Sequence, residues 1–546
     1  MIKLKKTLGT LKSKSALVFF RNEWSNFKAR FKSYANVNFK FRNLVQKKDK
    51  TVLVCTFSGD NFLIKIIDIL FYQSFKIRGY KIYVLNCDRS LNLCMVSDYS
   101  RFKKKQQSIK KSQENICNFC VKGFKIDFIK DFFELINVSD FIKKNITIKD
   151  KEKILAKCNI KNFNFSDTVS SATIRFLGKS KFSLSNTYEK YIYREYLLSS
   201  LKFLYAFNEI IKKYKINLII NHHGIYVPHG LILNYSKSNR INNYSWSQGY
   251  KKKSIILVRN NNIHNFFPNL TNWDKFEFSI IKKKKIIKYL KSREINQRDW
   301  VQYQSNKLKK NLDKKNFFDN NNLIYILYAN VSWDAKLHFT HSLFNNMEEF
   351  VIFTIKFFIN NPQKNLIIKS HPGELLSQVP SAETIKNFIE RNFKVIPKNI
   401  KIIDSASNIN SFQLAKISNI AIVYSSKISI ELASVGMPVI CCGDAWIKNK
   451  KITLDPKSKS EYLNILNAEL NTLNEISLRN SVRAQKFAFY FFFRKTIQIK
   501  SIRMQPFFPK YILDMNKLKN DNNMNKIVDL VIKNREVEFE QKNYNT

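Results

Sequence analysis

Negative charge is in short supply in this chain: 42 Asp and Glu stand against 94 Lys and Arg in 546 residues, a formal net charge of +52. Such a balance attracts polyanions and admits nucleic acid, anionic lipid or acidic glycan as partners. The signatures that would select nucleic acid are also missing, since there is no RNP-type aromatic motif, zinc-finger spacing or recognition-helix pattern. Lys, Asn, Ile and Phe are abundant together, a bias that an AT-rich genome produces without functional demand. The charge is therefore discounted as evidence for nucleic acid. It fits solvated lysine faces, or an enzyme lying against an acidic membrane leaflet, where each basic residue near the surface adds about 1 kcal/mol.

Long apolar runs are absent too. No window holds the roughly 18 uninterrupted apolar residues of a membrane span. The run Ala16 to Phe20 in the basic N-terminus is too short for a signal-peptide core. The aromatic run Phe487 to Phe493 is likewise too short to span and reads as packing between domains. A cytoplasmic protein, peripheral to a membrane at most, is the expectation. There is no GxGxxG, so the turn Ser58-Gly59-Asp60 after the first strand implies no dinucleotide. Nor is there a DxD, the carboxylate pair that often holds a divalent metal on a sugar donor.

What is present is a globular chain, 44% hydrophobic and long enough for two domains of ordinary size. After a basic leader over 1–50, a strand from Thr51, a helix from Asn61 and a strand from Lys81 open a Rossmann-like domain, taken as 51–300. Residues 125–181 resist assignment. The periodicity of Tyr188 to Tyr214 predicts a helix, followed by a strand to Ile220 and the turn Asn221-His222-His223-Gly224. The charged segment Lys282 to Lys315 reads as a connector to a second Rossmann-like domain over 301–500, with strands near Leu323, Leu366, Ile400, Ile420 and Val439. The tail 501–546 carries one apolar helix near Ile527 and is either a solvated end or a helix folded back on the first domain.

The densest chemical signal lies between Leu366 and Pro456. An apolar strand ends at Lys369 and is followed at once by His371-Pro372-Gly373; a later strand ends at Tyr424 and is followed by Ser425-Ser426 and a helix. Ligands of open α/β sheets bind beyond the carboxyl ends of such strands. The first N–H groups of a helix lack internal partners and favour anions. Lys369, His371, Ser425 and Ser426 thus form a candidate phosphate cradle, with Glu431 placed to accept from a ribose hydroxyl. Taken singly, Ser425 reads as a helix cap and His371 as a satisfied turn histidine. It is their succession in one sheet that points to a site.

These residues, His371-Pro372 and Ser425-Ser426, resemble the marks of bacterial capsule polysaccharide biosynthesis proteins, a family within the GT-B glycosyltransferase-like enzymes. That wider set includes sialyl- and Kdo-transferases and teichoic-acid glycerophosphotransferases. The segments NHHGIYVPHG (Asn221 to Gly230), WSQGYKKKSIILV (Trp246 to Val258), SREINQRDWVQY (Ser292 to Tyr303) and ANVSWDAKLH (Ala329 to His338) are similar to that family in the same order. So are ITLDPKSKSEY (Ile452 to Tyr462) and QKFAFYFFFR (Gln485 to Arg494), so the likeness runs from about Thr51 to Arg494. The resemblance implies an α/β, GT-B-like fold, two Rossmann-like domains with parallel sheets facing a central cleft. It also implies Lys450 and Thr453 as further donor contacts, although Lys451 and Ile452 stand where the family tends to have a glycine and an aromatic residue.

The resemblance further implies a transfer from a nucleotide sugar to a polysaccharide or lipid-linked glycan, with no cofactor and no metal, beside the inner membrane. His223 and Asp334 are the expected general base or bases, and Gly59 and Asp60 are expected on the acceptor side. Each also has a plain structural role open to it, a loop hydrogen bond for the histidine and a helix cap for Asp334. The alternatives are a CDP-polyol glycerophosphotransferase, a non-catalytic glycan-assembly protein of the same fold, and, least favoured, a nucleic-acid module. Of the eight cysteines, Cys87, Cys94 and the Cys117-x-x-Cys120 pair could be gathered into a four-thiolate zinc site or remain simple thiols.

Overall fold

The computed structural model describes residues 48–57, 61–99, 112–118, 120–121, 134–294, 299, 312–334, 342–377, 379–504 and 511–540. The expected pair of Rossmann-like sheets is observed. β1 (Lys48–Thr56), β2 (Tyr80–Asn86), β3 (Leu135–Asn137), β4 (Leu218–His222) and β5 (Asn242–Gln248) run parallel in the order β3-β2-β1-β4-β5. β6 (Ser254–Arg259) then adds antiparallel to β5. The second sheet is wholly parallel, in the order β11-β10-β7-β8-β9, from β7 (Ile324–Tyr328), β8 (Asn365–Lys369), β9 (Ile400–Ile403), β10 (Ile420–Val423) and β11 (Val439–Cys441). Both sheets therefore reverse their strand order beside their first strand, at β1/β4 and at β7/β10, where a doubly wound sheet opens a crevice.

Local sequence explains the strands that matter most. IYILY, NLIIK and IAIV are buried at every position, as expected of parallel strands covered on both faces. In the first domain, α1 (Phe62–Lys76) is capped by Asn61, whose side chain accepts from the N–H of Leu63 and Ile64. The antiparallel-packed α2 (Asn162–Leu177) and α3 (Thr187–Tyr214), with α4 (His229–Ser238), cover the other face. The stretch 125–181, unreadable from sequence, yields the short β3 and α2.

Between the sheets lies one shared apolar core. Ile256, Val258 and Phe267 of the first domain join Ile326, Val423 and Ile430 of the second. The expected interdomain role of Phe487 to Phe493 is met: α8 (Leu470–Phe489) passes into a π-helical turn, Tyr490–Lys495, that sets Phe491 against Phe267 and Trp446, with ring centroids 5.0 and 5.1 Å apart. Three other helices flank the second sheet: α5 (Ile280–Arg293), α6 (Met347–Ile359) and α7 (Ile428–Ser434).

The chain then returns to the first domain. β12 (Ile497–Gln498) pairs antiparallel with β6, and α9 (Asn522–Ile532) packs Met524, Ile527, Val528 and Val531 into the core beneath α1. Residues 497–498 thus belong with the first sheet, whereas a division by sequence placed 301–500 in the second domain; the helix near Ile527 folds back on the first domain, the second of the two arrangements the sequence left open for 501–546. Among the described residues no helix is long and apolar enough to cross a membrane.

Candidate functional site

The strand ends at the second switch point build the site. β7 runs out into Ala329-Asn330, β10 into Tyr424-Ser425-Ser426 and β8 into Ser370-His371-Pro372, and the Asn330 side-chain oxygen accepts from Ser425 N–H at 3.2 Å. All of these residues except the buried Tyr424 line one cavity of about 430 Å3, closed on its far side by Gln248, Tyr250 and His264 of the first domain. The structure therefore brings Lys369, His371, Ser425, Ser426, Glu431 and Asp334 together.

Lys369 is 2% exposed, donates to the Asp404 carbonyl at 3.2 Å, and is drawn down by burial to a pKa of about 8. His371 accepts from Gly373 N–H on Nδ1 at 2.9 Å, which places the proton of the neutral ring on Nε2. Burial lowers that ring to about 4, with Asp334 pulling upward and Lys369 adding to the fall. At neutral pH His371 is therefore an uncharged donor, and Lys369 carries the cationic charge of this pair.

Behind the Ser pair stands a buried ionic clamp. Glu431 Oε1 receives Lys427 Nζ at 2.6 Å and Arg293 Nε at 2.8 Å, while Arg293 also meets Asp299 and Tyr289. Burial alone would raise the Glu431 carboxyl, but Lys427 and Arg293 outweigh it and hold it below its ordinary value. Its second oxygen, Oε2, is buried and has no hydrogen-bond partner in the protein. A carboxylate oxygen left so is costly, and Glu431 lines the cavity. Lys427 lies over the Tyr250 ring, 4.4 Å from its centroid.

Asp334 is exposed to the cleft and accepts from Tyr226 Oη on Oδ1 at 2.9 Å. Tyr226 in turn lies under the Arg175 guanidinium, 5.4 Å from its ring, and beside the His223 ring at 5.4 Å. His223 itself does not line the cavity, contrary to its expected place at the reacting centre. It sits in a left-handed turn, φ +31°, accepting from Ile225 N–H on Nδ1, with Nε2 2.6 Å from Met95 Sδ. Tyr226, beside its ring, links it to Asp334. The neighbouring His229 is buried and His222 half-buried, and desolvation lowers His222 to about 3 and His229 well below the ordinary histidine range. One nitrogen from each of the three histidines lies within 4.8 Å of the others, a spacing open to a transition metal.

Two expected donor contacts are misplaced. Lys450 is 2% exposed and spends its ammonium on the carbonyls of Phe267, Leu270 and Lys448, tying the domains together away from the cavity. Thr453 donates to Asp455 at 2.6 Å on a separate depression. Gly59 and Asp60 fall outside the described residues. The four cysteines Cys87, Cys94, Cys117 and Cys120 line a different, small void beyond β2.

Sequence reasoning passed over Arg293, Asp299, Lys427, Tyr226 and Asn330. Lys427 was signalled by its position directly after the Ser pair, and Arg293 and Asp299 by the quoted SREINQRDW segment. Tyr226 was signalled in the same way, by the quoted NHHGIYVPHG segment.

Against known proteins, residues 234–491 match the family described as capsule polysaccharide biosynthesis protein. No curated protein matches the chain. Among solved structures, the β-Kdo 2,4-transferase KpsC of Thermosulfurimonas dismutans is 14% identical, covering 56% of this chain and 87% of its own, with a TM-score of 0.36. The β-Kdo 2,7-transferase KpsC of the same organism is 10% identical over 59% and 90%, TM-score 0.34. A UDP-GlcNAc 2-epimerase from Neisseria meningitidis bound to UDP-GlcNAc is 10% identical over 81% and 97%, TM-score 0.26.

Proposed function

From the capsule polysaccharide biosynthesis family, which residues 234–491 match, we propose that this protein is a glycosyltransferase of capsular or other surface polysaccharide. It takes a sugar from a nucleotide-sugar donor and passes it to a glycan or lipid-linked acceptor in the cleft. The observation that carries this reading is the convergence of Lys369, His371, Ser425, Ser426 and Glu431 on one cavity at a sheet switch point.

The donor's phosphates lie between the Lys369 ammonium, the His371 Nε2–H and the Ser425 and Ser426 hydroxyls, with the ribose on Glu431. Asp334 takes the proton from the acceptor hydroxyl as that oxygen bonds to the anomeric carbon. The anomeric carbon–oxygen bond to phosphate breaks, and the nucleotide leaves with the electron pair, its charge met by Lys369 and the neutral donors. Tyr226 holds Asp334 in place. No metal is needed on the donor in this scheme: the chain has no DxD, and the cleft carboxylates Glu431 and Asp299 are already engaged by Arg293. The excess of basic residues suits a position against an anionic membrane surface, where a lipid-linked acceptor would be met.

Calorimetric titration with CMP, CDP, UDP and GDP tests the cradle. Saturable binding of one nucleotide, lost in His371→Ala, is expected. Product analysis then looks for a glycosidic bond. A phosphodiester product, or no binding of any nucleotide, overturns the assignment.

A further inference from the structure

Three of the chain's seven histidines, His222, His223 and His229, meet where β4 ends in the first domain. β4 carries His222 at its last position, the left-handed residues His223 and Gly224 turn the chain, and α4 brings His229 back at its first position. The turn is tight enough that a Cβ added to Gly230 would collide with the Ile225 carbonyl oxygen. The ring centroids stand 4.6, 5.0 and 5.4 Å apart, and one nitrogen of each ring lies within 4.8 Å of the others. None of the three lines the donor cavity.

Two of the nitrogens are bare. Asn221 Nδ2 donates to the His229 carbonyl at 2.8 Å, which leaves Asn221 Oδ1 to face the ring. His229 Nδ1 therefore donates to that oxygen, 2.6 Å away, and Nε2 is left as an unprotonated lone pair. His229 is 1% exposed, and its Nε2 is buried with no hydrogen-bond partner in the protein. His222 Nδ1 is likewise buried and unpartnered, its ring held against Trp246 with centroids 4.4 Å apart. Two buried imidazole nitrogens left without partners in one cluster are costly to a fold. An imidazole whose other nitrogen donates to a fixed oxygen is also how metal-binding histidines are oriented. His223 is the adjustable member: Ile225 N–H donates to its Nδ1 and Met95 Sδ stands by its Nε2, and the ring must release one of these to reach an ion.

We propose that His222, His223 and His229 bind one zinc ion. Neutral imidazoles suit a borderline divalent ion, and among the described residues no carboxylate or thiol joins the cluster, so the fourth tetrahedral position falls to water. Nitrogens about 2.0–2.1 Å from zinc at tetrahedral angles lie roughly 3.3 Å apart, so the rings need to close by about 1.5 Å at most. The bound water releases a proton to solvent near pH 7, which halves the charge of the site. Tyr226 stands in the same turn and donates to Asp334 at 2.9 Å. By fixing that turn the ion positions Asp334 without touching the donor. The site itself does not rest on the transferase reading.

Calorimetric titration of the chelator-treated full-length protein with zinc, and X-ray absorption of the wild-type zinc complex, test this without any transferase assay. One equivalent per chain is expected, with imidazole nitrogens at about 2.0–2.1 Å and no thiolate sulfur at about 2.3 Å. His222→Ala should weaken binding by more than the roughly 10–100-fold that loss of an outer hydrogen-bond partner costs, whereas Cys117→Ser should leave it unchanged. The wild-type spectrum decides the matter even where His222→Ala fails to fold. No saturable zinc binding, thiolate sulfur at the ion, a shell of oxygen alone, or an unchanged affinity in folded His222→Ala would each overturn the proposal.

Discussion

Nucleotide binding should weaken as pH rises from 7 to 9, and Lys369 sets by how much. Burial depresses its pKa to about 8 in the folded protein, so the charge is present below that value and lost as pH climbs through it. In the unliganded protein about nine-tenths of Lys369 is protonated at pH 7 and about one-tenth at pH 9. A bound phosphate holds the ammonium charged, so only the protonated fraction is competent and the apparent Kd rises about tenfold over the interval. The nucleotide's terminal phosphate, with a pKa near 6, is ionised throughout and contributes little. His371, at about 4, lies outside the window, and Asp404 is held below the ordinary carboxylate range by its Ala406 N–H hydrogen bond.

Glu374, which burial raises to about 7, lies inside it. Its ionisation repels an anion in the same direction, but below pH 8. Calorimetry at pH 7, 8 and 9, in buffers of different ionisation enthalpy, should show proton uptake growing with pH. In Lys369→Met the loss between pH 8 and 9 should vanish, while a smaller slope centred near 7 remains for Glu374. A flat wild-type profile, or an unchanged slope in Lys369→Met, would refute the placement of phosphate on this lysine.

The clamp predicts a stability defect. Glu431→Gln removes the one charge shared by Lys427 and Arg293 and should cost about 3–5 kcal/mol, read as a lowered Tm and partly restored by adding Lys427→Met; an unchanged Tm would show that the pairs contribute nothing. For the chemical step, Asp334→Asn should lower turnover by about 10²–10⁴-fold with nucleotide affinity unchanged, and wild-type turnover in that variant would remove Asp334 from its role. Tyr226→Phe, which deletes one hydrogen bond to Asp334, should lose only about five- to tenfold, near 1 kcal/mol. A loss equal to that of Asp334→Asn would instead make Tyr226 a participant.

The readable parts of this molecule are those where one segment suffices. LIIK and IAIV announce buried parallel strands because both faces must be apolar, and the residues just past each strand end are then carried by topology to the crevice. That is why Lys369, His371, Ser425 and Ser426 were legible. His223 was misjudged because a strand-end position fixes only that the turn lies at the crevice, and not which of its side chains lines it. Lys450 looked like a donor contact because sequence does not distinguish a lysine aimed at phosphate from one aimed at three carbonyls. The clamp needed Arg293 and Glu431 to meet across 138 positions of chain. β12 is two residues long and has no pattern of its own; its pairing exists only because β6 leaves an edge to fill.

The return of the chain to its first sheet has a consequence for biosynthesis. The edge strand Ser254–Arg259 emerges from the ribosome long before Ile497–Gln498 is made, and at about 5–20 residues per second the delay is on the order of tens of seconds. Throughout that interval the nascent first domain presents an open strand edge, and the apolar underside of α1 lacks the cover of Ile527 and Val531. The second domain can complete its sheet during the wait. The half of the protein synthesised first is thus the last to mature, and it is the half that a chaperone would have to shelter.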